Sequence, residues 1–351
     1  MIVTITEQAP LATTDALLAA AVAAGLEARV MTDGHGGTLI GVDGALPADL
    51  LTLPGVGTVL ERHKPYMLAS REGRPHAPTV VKLGDVRIGG GRPVMMAGPC
   101  VVEGRDELLA VAHAAKAAGA DVLRGGAFKP RTSPYAFQGL GEEGLKHLAA
   151  ARAATGLPIV TEVMEPDQVD LVAGYADMLQ VGARNMANFP LLRRVGAAGR
   201  PVLLKRGFSA TVDEWLMSAE YIMAGGNPNV VLCERGIRGF DPALRFTLDL
   251  AAVPLAKELT HLPVIVDPSH GTGKRSLVAR MALAGLAAGA DGLIVEIHPD
   301  PDRARCDAAQ TITPAEFASI TRSARALHAA LLAAGADDAE PATATRVPLT
   351  A

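Results

Sequence analysis

The sequence predicts an α/β protein whose main part is a (β/α)₈ TIM barrel, preceded by a small α+β domain of the ferredoxin-like βαββαβ type. Two observations predict this architecture. From Pro93 onward, short apolar runs alternate with helix-period segments, and eight such units fit within about 240 residues, the size of a closed barrel. Residues 1–66 instead show a different order of strands and helices. Hydrophobic residues make up 49% of the chain, which is enough for a large core.

The first unit, residues 1–66, has the order βαββαβ. Its predicted elements are a strand at Ile2–Thr6, a helix at Thr14–Ala28, strands at Arg29–Met31 and Thr38–Val42, a short helix at Pro47–Leu53 and a strand at Val56–Glu61. The glycine-rich segment Asp33–Gly37 predicts a hairpin turn between the second and third strands. Such modules often bind small molecules, but the fold alone does not identify a ligand.

Residues 67–92 are predicted to form a connector. Val80–Leu83 and Val86–Ile88 flank Gly84 and Asp85, which predicts a β-hairpin. The three glycines at 89–91 follow a strand but do not begin a helix. They therefore do not support a dinucleotide-binding site.

The barrel is predicted to span residues 93–334. Its eight strands are expected at Val94–Ala97, Asp121–Arg124, Pro158–Glu162, Asp177–Val181, Pro201–Lys205, Val230–Glu234, Pro263–Asp267 and Gly292–Glu296. Helical segments include Glu107–Ala118, Asp213–Ala224, Ser276–Ala288 and Pro314–Ala334. Residues 335–351, rich in Ala, Asp, Pro and Thr, are expected to form a mobile tail.

Composition argues against several classes of protein. The formal net charge is −4, so no nucleic-acid-binding surface is implied. We find neither a secretory signal pattern nor a charge-free apolar run of the roughly 18 residues that a membrane span needs. The three cysteines are far apart in sequence, which is typical of cytosolic thiols rather than of a disulfide framework. We therefore expect a cytoplasmic protein.

Every predicted barrel strand ends at, or leads into, an ionisable residue. The active sites of such barrels lie at the carboxyl ends of the strands, so these residues are expected on one rim. In strand order they are Cys100, Arg124, Glu162, Arg184, Lys205, Glu234, the pair Asp267 and His270, and Glu296. A single charged strand end is commonly just solvated, but eight on one rim favour a functional site.

The cations in this set indicate anionic substrates. Their convergence on one mouth suits phosphates or carboxylates, because Arg offers bidentate contacts and Lys a compact charge. They are Arg124, Lys129, Arg131, Arg184, Lys205, Arg206, Arg235 and Arg238. The loop after the second strand, Phe128–Tyr135, carries Lys, Arg, Thr and Ser, is stiffened by two prolines and is suited to fixing a phosphate.

A second group predicts a metal site. Cys100, His270, Glu296 and Asp307 follow strands one, seven and eight, which are neighbours in a closed barrel. This mixed sulfur, nitrogen and oxygen set differs from a closed structural zinc site. It suits one divalent ion, Mn²⁺, Fe²⁺, Co²⁺ or Zn²⁺, with a position open for substrate. The alternatives are a buried hydrophobic role for Cys100 and a phosphate-donor role for His270.

The chain resembles a known family of enzymes. The segments AGPC, LRGGAFKPRTSPYAFQGLG, GARNM, LLKRGF, LCERGIRGF, DPSHGTG and VEIHPDP occur in the order and spacing of the 3-deoxy-D-arabino-heptulosonate 7-phosphate synthases. The resemblance covers about residues 1–330 and is closest to the subgroup with an N-terminal ferredoxin-like regulatory domain. It implies condensation of phosphoenolpyruvate with erythrose 4-phosphate and water, the first step of the shikimate route to aromatic amino acids.

The resemblance also implies roles for individual residues. Cys100, His270, Glu296 and Asp307 would bind the metal, and Glu162 with Lys129 would orient the attacking water. Arg131 and Thr132 would hold the erythrose phosphate. Contacts to phosphoenolpyruvate would come from Arg124, Lys129, Arg184, Lys205 and Arg235. The small domain would bind an aromatic amino acid as a feedback effector, and the protein would be a homotetramer; a domain that only shapes the oligomer is the alternative.

Other functions remain open at this stage. The 3-deoxy-octulosonate 8-phosphate synthases share the barrel and use arabinose 5-phosphate, but carry a KANRS-like loop where this chain has KPRTS at 129–133. A Schiff-base aldolase would use Lys205, and a non-catalytic phosphosugar sensor would use the same cations without chemistry. Cys306 next to Asp307 raises a further hypothesis, an oxidation that joins it to Cys100; an inert thiol is the alternative.

Overall fold

The computed structural model describes residues 1–32, 38–60, 65–73, 78–130, 133 and 135–335. The predicted turn at Asp33–Gly37, the tail beyond Gly335 and the loop residues Arg131 and Thr132 lie outside the described residues. None of the helices in the described ranges combines the length and hydropathy needed to cross a bilayer.

The N-terminal unit is an antiparallel sheet covered by one helix. Its elements are β1 (Ile2–Ile5), α1 (Leu11–Ala23), β2 (Ala28–Thr32), β3 (Thr38–Val42) and β4 (Val56–Leu60). The sheet order is β2-β3-β1-β4, and Val3, Leu17 and Ile40 are fully buried between sheet and helix. The ferredoxin-like prediction is confirmed.

Two details of the N-terminal prediction are wrong. The expected helix at Pro47–Leu53 is only a 3₁₀ turn at Leu50–Thr52. Helix α1 ends at Ala23, earlier than predicted, because Gly25 adopts a left-handed conformation with φ of 68° that stops the helix.

The barrel is closed, as predicted. Its strands are β7 (Val94–Gly98), β8 (Val122–Arg124), β9 (Ile159–Glu162), β10 (Met178–Val181), β11 (Val202–Lys205), β12 (Val230–Glu234), β13 (Val264–Val266) and β14 (Gly292–Glu296). Each strand pairs in parallel with the next, and β14 closes the ring by pairing with β7 from Gly292↔Val94 to Glu296↔Gly98. The carboxyl ends of all eight strands therefore meet at one mouth.

Helices surround the barrel. They are α2 (Arg105–Ala117), α3 (Glu142–Thr155), α4 (Val169–Tyr175), α5 (Phe189–Ala197), α6 (Val212–Ala224), α7 (Ala252–Leu259), α8 (Pro268–Thr272), α9 (Arg275–Ala287) and α10 (Pro314–Ala333). Local sequence signals fix several of their starts. Thr211 with Glu214, and Thr313 with Glu316, form complete capping boxes at the N-termini of α6 and α10.

A β-hairpin packs against the amino end of the barrel. It consists of β5 (Val81–Leu83) and β6 (Val86–Ile88). Val81, Leu83 and Ile88 are buried in one apolar cluster with interior side chains from the first half of each barrel strand, such as Met96 and Val122. This end of the barrel is therefore filled by hydrocarbon, whereas the other end carries the charged residues described next.

Candidate active site

Residues at most of the predicted strand ends line one cavity at the mouth of the barrel. The side chains that line it include Arg124, Lys129, Glu162, Arg184, Lys205, Phe208, Arg235, Arg245, His270, Cys306 and Asp307. Many of its charged groups are buried, which is costly unless each is paired or held for a ligand. Of the expected site residues, Arg131 and Thr132 lie outside the described residues, and their roles stay predictions.

The other three candidate metal ligands, Cys100, His270 and Glu296, lie close to the carboxylate of Asp307. Cys100 Sγ lies 3.3 Å from Asp307 Oδ2, and His270 Nε2 lies 3.9 Å from the same oxygen. His270 Nε2 is also 3.3 Å from Glu296 Oε1. Among the described residues, two groups of side chains have ligand atoms within 4.8 Å of one another. One group is Cys100, Cys306 and Asp307, and the other is His270, Glu296 and Asp307. Asp307 belongs to both groups, so it joins the sulfur side of the site to its nitrogen and oxygen side.

The imidazole of His270 is oriented for ligation. Asp267 Oδ2 lies 2.7 Å from His270 Nδ1, and the same oxygen accepts a hydrogen bond from Lys205 Nζ at 2.5 Å. A proton held on Nδ1 by this carboxylate leaves Nε2 with its lone pair facing Glu296 and Asp307. Burial lowers the pKa of His270, which favours the neutral imidazole that a metal requires.

Both acidic candidates are held as carboxylates. Burial alone would raise the pKa of Glu296, but His270 and Arg124, whose Nη1 donates to Glu296 Oε1 at 2.8 Å, keep it below its usual value. Burial likewise opposes the charge of Asp307, and His270 and Arg245 hold its pKa down. Two ionised oxygen donors are therefore present at neutral pH.

Lys129 lies directly above the thiol of Cys100. Its Nζ is 3.0 Å from Cys100 Sγ and 3.2 Å from the carbonyl oxygen of the same residue. Burial disfavours the ammonium, but the neighbouring groups Cys100, Cys306 and Glu296 raise the pKa of Lys129 above its usual value. A permanent cation therefore lies at the boundary between the candidate ligand set and the cavity.

Close backbone approaches build this corner of the site. A Cβ on Gly98, at the end of β7, would lie 1.9 Å from the carbonyl oxygen of Arg124 on the neighbouring strand. A Cβ on Gly126 would lie 2.9 Å from the carbonyl oxygen of Cys100 and from the Lys129 side chain. Glycine at both positions therefore allows the chain to bring Cys100, Arg124 and Lys129 together.

Arg235 packs against two aromatic rings that stack on each other, Phe208 and Phe246, whose centroids are 4.9 Å apart. Its guanidinium carbon lies 4.9 Å from the centroid of Phe208 and 4.1 Å from that of Phe246. Burial lowers its pKa to about 10, so the group is still a cation at neutral pH. Arg184 also approaches the ring of Phe208, at 5.3 Å. Cation–π contacts thus fix two of the predicted anion-binding residues.

A buried ion network supports Arg235 from behind. Arg206 Nη1 lies 3.0 Å from Glu234 Oε2 and 2.9 Å from Asp249 Oδ2. Glu234 Oε1 also accepts the backbone N–H of Gly236 at 2.6 Å. Arg206 and Glu234 are therefore paired with each other and leave Arg235 to face the cavity, a division that the sequence pattern of strand ends did not reveal.

Glu162 ends β9 and lines both the main cavity and the small recess beside Cys100. Its Oε2 accepts a hydrogen bond from Gln180 Nε2 at 3.1 Å. A Cβ at Gly182 would lie only 2.0 Å from Glu162 Oε1, so the glycine makes room for the carboxylate. Glu162 and Lys129 line the same cavity, an arrangement that suits a water held between an acid and an ammonium.

Sequence reasoning missed Arg245 and Gln310. Arg245 Nη1 donates to Asp307 Oδ1 at 3.2 Å and to Gln310 Oε1 at 2.9 Å, and Gln310 Nε2 donates to Glu296 Oε2 at 2.7 Å. The two residues therefore tie together both acidic candidates. Neither residue ends a barrel strand, so the rule that revealed the other site residues could not find them.

A barrel of this closure, with cations, acids and thiols gathered at its carboxyl end, defines an enzyme class that acts on anionic substrates. The chain belongs to the DAHP synthetase I family, whose sequence profile matches residues 69–332.

Named relatives agree with this membership. The chain is 49% identical to the phospho-2-dehydro-3-deoxyheptonate aldolase of Thermotoga maritima over 294 residues, which cover 84% of this chain and 87% of that protein. The crystal structure of the DAHP synthase from Thermotoga maritima matches with a TM-score of 0.76 at 44% identity, covering 94% of this chain and 97% of that chain. The 2-dehydro-3-deoxyphosphooctonate aldolase of Syntrophotalea carbinolica is 34% identical over 67% of this chain and 91% of its own.

Proposed function

We propose that the protein condenses phosphoenolpyruvate with D-erythrose 4-phosphate and water, giving 3-deoxy-D-arabino-heptulosonate 7-phosphate and inorganic phosphate. The observation that carries the proposal is the cavity itself, which Lys205, Arg184 and Arg235 line together with His270 and Asp307. One region can bind an anionic ester, and the other can hold a divalent ion for a carbonyl group.

The donor set fits a divalent metal. It offers a thiol, a neutral imidazole and two carboxylates, and the carboxylate of Asp267 orients the imidazole from behind. We propose Cys100, His270, Glu296 and Asp307 as the ligands. When bound there, Mn²⁺, Fe²⁺, Co²⁺ or Zn²⁺ would supply Lewis acidity to the aldehyde oxygen of erythrose 4-phosphate.

The cations of the cavity are suited to bind phosphoenolpyruvate. We propose that Arg184, Lys205 and Arg235 bind its phosphate and that Arg124 and Lys129 bind its carboxylate. Arg124 Nε is buried and makes no hydrogen bond within the described part of the chain, so it is a donor held for a ligand. We propose that Arg131 and Thr132 bind the phosphate of the erythrose.

The chemistry follows from these placements. C3 of phosphoenolpyruvate forms a bond to the aldehyde carbon as the aldehyde C=O π bond breaks; the aldehyde oxygen becomes a hydroxyl with the proton that the added water releases, and positive charge develops at C2. Water held between Glu162 and Lys129 adds at C2, and Glu162 accepts its proton. The C2–O bond to phosphate then breaks as the C2 hydroxyl becomes the ketone and its proton passes to the phosphate, and Arg184, Lys205 and Arg235 stabilise the departing dianion.

The test is an assay of inorganic phosphate released from phosphoenolpyruvate with either of two aldoses. Erythrose 4-phosphate should support turnover, and arabinose 5-phosphate should be a poor substrate. A preference for arabinose 5-phosphate would identify the octulosonate reaction, and no turnover with either aldose would contradict the proposal. Borohydride trapping of an adduct on Lys205 would indicate a Schiff-base aldolase instead.

We further propose a cytoplasmic homotetramer whose N-terminal unit binds an aromatic amino acid as a feedback effector. The support is the architecture of that unit, which has an apolar core of its own and also contributes Ile2 and Leu39 to the core of the barrel. Activity of the full chain titrated with tyrosine, phenylalanine and tryptophan would reveal an effector, and light scattering would give the number of subunits. Unchanged activity with all three would contradict the effector proposal.

A further inference from the structure

Two cysteine thiols meet at the candidate metal site, although only one of them ends a barrel strand. Cys100 and Cys306 are 4% and 5% exposed, and their sulfur atoms lie within 4.8 Å of each other and of an Asp307 carboxylate oxygen. Cys233 is different, because its thiol is buried in the apolar interior of the barrel. The chain thus concentrates two of its three thiols at one carboxylate.

The two thiols face the site from different sides. Cys306 lines the open cavity together with His270 and Asp307. Cys100 lies deeper, against Gly125, Gly126 and the Lys129 side chain. Both thiols therefore lie within reach of an ion held by Asp307.

The backbone holds Cys306 in this position. Asp307 has a φ of 53°, a conformation rare for a residue with a side chain, and its carbonyl oxygen accepts hydrogen bonds from Gln310 N at 3.1 Å and Thr311 Oγ1 at 3.0 Å. On the other side, Arg305 stacks on the ring of Phe137 at 3.9 Å. Anchors on both sides of Cys306 make its direction a fixed feature of the loop.

We propose that Cys306 is a second thiolate ligand of the metal site, so that the site selects soft divalent ions such as Zn²⁺ and Co²⁺ over Mn²⁺. The inference rests on the proposed function, because it assumes that Cys100 and Asp307 bind the ion. Thiolate ligands favour the softer metals, and each added sulfur strengthens this preference. The ammonium of Lys129 and the guanidinium of Arg124 lie close enough to balance the extra negative charge.

The most direct experiment counts sulfur neighbours of the metal. X-ray absorption of the zinc-loaded full-length protein should show two sulfur scatterers at about 2.3 Å, the usual zinc–thiolate distance. The same measurement on Cys306→Ser should show one. One sulfur in both proteins would overturn the inference while leaving Cys100 as a ligand.

A second measurement does not depend on zinc. The cobalt-loaded protein should show sulfur-to-metal charge-transfer absorption, which Cys306→Ser should reduce to about half. Cys233→Ala is the matched control, because it removes a thiol from the barrel interior and should leave the absorption unchanged. If Cys100→Ser and Cys306→Ser both leave the absorption unchanged, the ligand set of the proposed function fails as well.

Metal selection gives the third outcome. In competition between Zn²⁺ and Mn²⁺, Cys306→Ser should lower the preference for zinc by about tenfold or more. Cys306→Ala gives the same loss if the thiol is a ligand. A preference for zinc that survives both substitutions, in variants with unchanged thermal unfolding, would overturn the proposal.

Discussion

The two ends of the barrel are built from the same eight strands, but one end is packed with apolar side chains and the other contains buried charges. At the amino end, Val81, Leu83 and Ile88 of the hairpin pack on interior Val, Met and Ile side chains. At the carboxyl end, the same strands deliver the buried charges of Arg124, Lys205, Glu234 and Glu296. One end removes hydrocarbon from water, and the other keeps ions out of water.

The difference separates stability from function. Apolar burial at the amino end is non-directional and stabilises the fold in proportion to the area buried. The ions at the mouth contribute less net stability, because each pays desolvation before it gains from its partner. We therefore expect substitutions at the mouth to change catalysis or metal binding, and substitutions at the amino end to change stability.

The largest effect is expected at Lys129. Lys129→Met should lower kcat/KM for the condensation by about a thousandfold or more, because the variant loses a cation that contacts Cys100 and the cavity. The assay is phosphate release with both substrates. Lys146→Met on the exposed surface of α3 is the matched control and should be neutral. Equal activity of the two variants would contradict a catalytic role for Lys129 at the barrel mouth.

The next effect concerns the support of the acidic ligands. Arg245→Ala and Gln310→Ala should each weaken metal binding by about 10- to 100-fold, because Asp307 and Glu296 lose the groups that orient them. Titration of metal-free protein with Co²⁺ measures this affinity. Arg245→Lys should recover part of it. Unchanged affinity in all three variants would make this network purely structural.

At the amino end, Ile88→Ala should lower the free energy of unfolding by about 2–5 kcal/mol. The side chain is fully buried in the apolar cluster, so its removal leaves a cavity. Urea unfolding measures the loss, and kcat/KM should stay within about twofold of the parent. A large loss of activity in the folded variant would show that the two ends are coupled.

The smallest effect is expected at Thr313, an uncharged residue that should contribute to stability and not to catalysis. Thr313 follows β14 and caps α10, where its side chain accepts the N–H of Glu316 at 3.2 Å. Thr313→Ala should cost about 1 kcal/mol of stability and leave catalysis unchanged. Thermal unfolding and the phosphate assay check the two parts; a catalytic defect would contradict them.

Much of the fold could be predicted from the sequence, because each barrel strand is a short apolar run that ends at a polar residue. That pattern gave the ring of strands and placed Cys100, Arg124, Glu162 and Lys205 at one mouth. The short helix at Pro47–Leu53 was wrong, because its apolar residues support only a single 3₁₀ turn, Leu50–Thr52.

Other parts of the site depend on contacts distant in sequence. Arg235 packs against the stacked rings of Phe208 and Phe246, and Arg245 contacts Asp307, which lies 62 positions away in the sequence. The periodic pattern of apolar residues that reveals strands and helices does not reveal contacts between residues so far apart in the sequence. The hypothesis that Cys306 lies near Cys100 is confirmed as a placement, whereas its oxidation stays a prediction.

The central claim is that one divalent ion binds around Asp307 at the barrel mouth. Crystals grown with Zn²⁺ and phosphoenolpyruvate, measured at the zinc absorption edge, test it directly. We predict one anomalous peak about 2.0–2.3 Å from the ligand atoms of Cys100, His270, Glu296 and Asp307. A zinc ion bound elsewhere, or the lack of an anomalous peak at the barrel mouth of a folded and active protein, would contradict the account.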